Sequence, residues 1–140
     1  MIKYRKLPSN IEDLLPKSIN YLEGRQDIEF VYLFGSIGKG ERLPLSDMDI
    51  AIYLKDMSQM HEKRMEILGM LMTLLETDEI DLVILNEAPL TLKMKILENK
   101  TVIVDHSPSL RHRFESLVMR EYFDFSTVEK AILERRFLSG

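Results

Sequence analysis

Three acidic side chains and one glycine-serine step are the residues of this sequence whose types and spacing best suit chemistry. Met48, Ile50, Ile52 and Leu54 interleave with Asp47, Asp49, Ala51 and Tyr53, the period-two pattern of a half-buried strand. Asp47 and Asp49 then share one face, with backbones about 6.6 Å apart at about 3.3 Å per residue, a spacing that a divalent cation can bridge. Asp81 opens a later apolar run, Ile80 to Leu85, and adds a third carboxylate if that strand lies alongside in suitable register. Three carboxylates around one point repel strongly unless a hard, oxygen-seeking cation neutralises them. Magnesium is the natural candidate, because it is usually held by a few carboxylates together with substrate phosphates. Gly35-Ser36, directly after the run Ile28 to Phe34, supplies the complementary half. A glycine permits close backbone approach, and the amides of a turn can form a nest for phosphate oxygens. Ser36 adds a hydroxyl donor, and Lys39, with Arg42 as a second candidate, adds positive charge beside a triphosphate.

These residues need elements to carry them. Ile11, Leu14, Leu15, Ile19 and Leu22 keep helical spacing after a Ser9/Glu12 capping box, with Pro16 implying either a short turn and a helix from Pro16 or a kinked helix. Ile28 to Phe34 reads as a buried strand, and the segment holding Asp47 and Asp49 as a second. Ser58 is placed to cap a helix striped by Met60, Ile67, Leu68, Leu71, Leu74 and Leu75. A third strand at 80–85, a helix from Pro89 to about Asn99 and a short strand at 101–104 follow. Helices begin at Ser107-Pro108, with a break near Asp124 and a new cap at Ser126 with Glu129. About a dozen residues join the first two strands, which favours an antiparallel pair; a whole helix joins the second and third, which favours a parallel right-handed crossover. The expectation is an α/β (α+β) fold: a mixed sheet of about four strands covered by helices, with a helical C-terminus. Gly35-Ser36, Asp47/Asp49 and Asp81 then meet at one edge of that sheet. No repeat or linker divides the 140 residues, so one domain is expected over 1–140, with its core at 28–106 and C-terminal helices at 107–138.

Composition narrows the chemistry. With 19 basic and 23 acidic residues the net charge is -4, so no general positive field holds a polyanion, and stable nucleic-acid binding is not expected. The absence of cysteine removes disulfides, thiolate zinc sites and thiol nucleophiles together. No apolar run reaches the roughly 20 residues of a membrane span, and no signal-peptide core follows Met1; a soluble cytoplasmic protein is expected. His61, His106 and His112 lack metal-ligand spacing. Arg111-His112-Arg113 and Arg135-Arg136 read as solvated helix faces, and the nine methionines mainly as core filling.

Gly35-Ser36, ten intervening residues, Asp47-x-Asp49 and the later strand acid Asp81 together resemble the signature of the DNA polymerase β-like nucleotidyltransferases. The size and context are most similar to the minimal nucleotidyltransferase (MNT) branch, over roughly residues 28 to 106. Many relatives have an Ala-Arg pair where this chain has Gly38-Lys39, and lysine keeps the charge but loses the bidentate guanidinium. The resemblance implies a palm-like fold and transfer of a nucleoside monophosphate from ATP to an acceptor, releasing pyrophosphate. Asp47, Asp49 and Asp81 would be catalytic and hold two magnesium ions, and Gly35, Ser36 and Lys39 would bind the nucleotide phosphates. It also implies an antitoxin that transfers AMP to a tyrosine of a partner HEPN-type ribonuclease toxin, in a hetero-oligomer, with a homodimer also open. An antitoxin that only masks its toxin, and an enzyme for a small-molecule acceptor, are the alternatives.

Overall fold

The computed structural model describes residues 11–35 and 48–138. The run of β-branched and aromatic residues at Ile28–Phe34 forms β1, and the alternating segment forms β2, Met48–Leu54. They pair antiparallel, with Phe34 opposite Asp49. A helix, α2 (Met60–Leu75), crosses over to β3, Ile80–Ile84, which lies parallel to β2. With β4, Thr101–Asp105, antiparallel to β1, the sheet has the order β3-β2-β1-β4. The expected mixed four-stranded sheet and its crossover are therefore present.

Alternation along each strand splits the interior into two layers. Val31, Leu33, Ile50, Ile52, Leu82 and Ile84 face one way and pack with Leu14 and Leu22 of α1 (Ile11–Glu23) and Ile67, Leu71 and Leu75 of α2. Phe30, Tyr32, Phe34 and Ala51 face the other way and pack with Ile96 of α3 (Leu90–Glu98) and with Leu110 and Phe114 of α4 (Pro108–Leu138). Phe30 stacks on Tyr53 at 4.8 Å, and the Phe114 ring closes on both, 5.6 and 5.4 Å away.

Local signals were overridden in four places. Pro16 lies inside a continuous α1; burial of Leu14 and Leu22 on one face offsets the backbone bond that proline cannot make. Ser58 does not cap α2, whose N-cap is Gln59 in the left-handed region; the Ser58 amide instead donates to Asp56 Oδ1 at 2.7 Å, and its hydroxyl donates to the same oxygen. The C-terminal segment is one helix of 31 residues with no break at Asp124 or Ser126, because no glycine or proline interrupts it. Strand β3 also ends one residue early, in a 3-10 turn at Leu85–Glu87. There Asn86 pins the turn to the end of β2, its side chain accepting from Leu54 N at 2.8 Å and donating to Leu54 O at 2.9 Å.

Two polar clusters fix the helices. Arg25 donates to both Asp27 oxygens (3.0 and 2.7 Å) and to Glu66 Oε1 at 2.8 Å, tying the entry of β1 to α2 and holding the Asp27 carboxyl below the usual range. On the other layer the Tyr32 hydroxyl donates to Glu115 Oε2 at 2.6 Å, Arg111 Nη1 donates to the same oxygen at 3.1 Å, and Lys100 Nζ stands 3.5 Å away. Burial works to raise the Glu115 pKa, but the hydroxyl and the two cations prevail and lower it. A depressed carboxyl contributes stability that is present above the ordinary value, 4.5, and lost as the pH falls through the folded value. Glu115→Gln is therefore expected to destabilise the protein at pH 7, the difference from wild type shrinking toward zero in denaturation midpoints measured below about pH 4.5.

Gly69 sits within α2, exposed, and a Cβ there would meet nothing within 4 Å. Gly69→Ala is expected to stabilise by about 1 kcal/mol, seen as a Tm increase of about 3–5 °C.

Candidate functional site

The apolar character of β1 gives way at Gly35, whose φ is +78°, a conformation that side chains rarely adopt. The glycine is required for a second reason: a Cβ there would collide with Asp49 Oδ2 and stand 3.4 Å from its Cγ. The Asp49 carboxylate thus lies directly over the backbone at the end of β1.

Asp49 is fixed by β2 between two ladders. It is opposite Phe34 on β1 and level with Asp81 on β3. Residues level on neighbouring strands project to the same face, so the two acids share the layer that holds Phe34, Ala51 and Val83. Strands lie about 4.8 Å apart. Carboxylates at that separation repel by about 1 kcal/mol in water and about 3 kcal/mol at the effective dielectric of a protein surface, an arrangement that favours a shared cation. Asp49 is half-buried and Asp81 exposed. Helices α3 and α4 cover this layer around Phe30 and Tyr53, and among the described helices neither is placed over the acids.

The topology brings together Gly35, Asp49 and Asp81. Ser36, Lys39, Asp47 and Arg42 lie outside the described residues. Among the described residues no three His, Asp or Glu side chains gather closely enough to hold a metal ion, and the described acids of this site are Asp49 and Asp81. No described helix is long and apolar enough to cross a membrane.

A basic residue of α2 that no side-chain motif singles out meets the outer edge of β3. Arg64 of α2 donates through Nη2 to Leu82 O at 3.0 Å, next to Asp81 on the outer edge of β3. It lines a groove of about 450 Å³ with Met60, His61, Leu82, Pro89 and Leu92. The signal was available: Arg64 follows Met60 by four and precedes Ile67 by three, a basic residue on an apolar helical stripe.

The family model described as polymerase beta, nucleotidyltransferase matches residues 16–109. No curated protein sequence matches the chain. Solved structures with a similar fold include a toxin-antitoxin complex with AMP-PNP (22% identity, TM-score 0.68, covering 88% of this chain and 95% of that one). Another is the tri-AMPylated Shewanella oneidensis HEPN toxin in complex with MNT antitoxin (21% identity, TM-score 0.63, 89% and 93%). A third is the toxin-antitoxin MntA-HepT (21% identity, TM-score 0.62, 91% and 97%).

Proposed function

The chain belongs to the polymerase β nucleotidyltransferase family, and from that premise we propose that it is a magnesium-dependent nucleotidyltransferase acting as a cytoplasmic antitoxin, transferring AMP from ATP to a tyrosine of a HEPN ribonuclease toxin. The observation that carries the reading is the level placement of Asp49 and Asp81 beside the positive-φ Gly35. The AMP-PNP-bound and tri-AMPylated complexes of similar fold support adenylyl transfer to a protein partner.

The donor set fits magnesium: hard carboxylate oxygens on adjacent strands, with a backbone cradle that a side chain would fill. Asp47, Asp49 and Asp81 would hold it as two ions, which supply charge neutralisation on the triphosphate and the acceptor oxygen. Gly35, Ser36 and Lys39 bind and orient the phosphates. The tyrosine oxygen forms a bond to the α-phosphorus as the bond from that phosphorus to the bridging oxygen breaks, and pyrophosphate leaves. Asp81, more exposed than Asp49, faces the acceptor and receives the phenolic proton. The resulting phosphodiester adds bulk and negative charge that repel RNA phosphates from the toxin.

The test is incubation of the two proteins with labelled ATP and magnesium, followed by mass spectrometry and an RNA-cleavage assay. A tyrosine heavier by AMP and a silenced ribonuclease are expected. A toxin silenced without modification would overturn the transfer reading.

A further inference from the structure

Helix α4 outruns the body that it packs on. Its 31 residues extend about 46 Å at 1.5 Å per residue, but contact with the sheet ends near the buried Val118. From Met119 to Arg136 every residue except Tyr122 is exposed. In proteins most helical stability comes from packing of an apolar face rather than from the helix itself.

Its sequence is nevertheless patterned for burial. The spacing that places Phe114 and Val118 against the core continues as Phe125, Val128 and Ile132, in steps of four and three, and these three are 48%, 58% and 54% exposed. This is a heptad seam. Its vacant apolar step is Glu121, and the Arg135-Arg136 step closes its far end. Charge decides what the seam accepts. A parallel copy would set Glu121 against Glu121 and arginine against arginine. An antiparallel copy sets each Glu121 beside the arginine step of the other.

We propose that two copies of this chain pair antiparallel through the second half of α4, with Phe125 of each packing against Ile132 of the other and the two Val128 side chains meeting near the centre. The overlap from Glu121 to Arg136 is about 24 Å long, short for an interface of standard size, and weak association is expected.

The experiment is sedimentation velocity on the full chain from about 1 to 200 µM. Wild type is expected to shift from monomer to dimer within that range. F125E is expected to weaken dimerisation at least tenfold with unchanged helix content by circular dichroism. E121R alone and R135E/R136E are expected to weaken it several-fold, and their combination to restore it. A wild type that stays monomeric overturns the proposal, as does a combined reversal no better than its parts. So does a HEPN toxin that binds the monomer through this seam and loses affinity with F125E, since the face then belongs to a different protein.

Discussion

Gly35→Ala is expected to lower nucleotide transfer by about 100-fold or more while leaving a folded protein. Two effects add. A non-glycine residue at φ +78° costs about 1–2 kcal/mol, and the new Cβ must displace the Asp49 carboxylate that it meets. A displacement near 1 Å at a reacting centre costs about two decades in rate. The strain should also lower Tm by about 3–6 °C. Labelled-nucleotide incorporation and a thermal melt on the same preparation separate the two. Transfer at near wild-type rate would show that the approach of Asp49 to the β1 terminus has no part in the reaction.

Asp49→Asn is expected to lower turnover by about two to four decades, since charge stabilisation around a bound metal supplies several kcal/mol. Asparagine keeps the shape over Gly35 and removes the charge, so Tm should change little or rise slightly as repulsion with Asp81 is relieved. Calorimetry should show metal-dependent ATP binding lost in Asp49→Asn, which sits against the phosphate cradle, but retained in Asp81→Asn, which loses turnover alone. Full neutralisation of the toxin by Asp49→Asn without any AMP transfer would leave masking as the mechanism.

The sheet was legible because each strand carried its own pattern: the aromatic and β-branched run of β1, the alternation of β2, and the short apolar run of β3. Linker lengths then gave strand direction, and direction brought Gly35, Asp49 and Asp81 to one end. The details lost were those in which tertiary packing outvoted local propensity. Pro16 is carried within α1 because Leu14 and Leu22 are buried. Ser58 turned to Asp56 because an acid two residues back competes for the same donors. The continuity of α4 depended on Ser126 remaining an internal residue, a choice that a capping pattern does not reveal. Arg64 was missed because its partner is a backbone carbonyl on an edge strand, which no side-chain motif encodes.

Strands β2 and β3 run level from Met48 beside Ile80 to Ile52 beside Ile84. Leu82 and Ile84 dive beneath α2, whereas Asp81 emerges on the opposite side. Sliding β3 by a single position would turn a carboxylate into the layer beneath α2 and take Leu82 and Ile84 out of it. The interior therefore acts as a proofreader for the reaction centre: a one-residue slip of β3 breaks the packing and the site together, so that a chain able to fold has already aligned its acids.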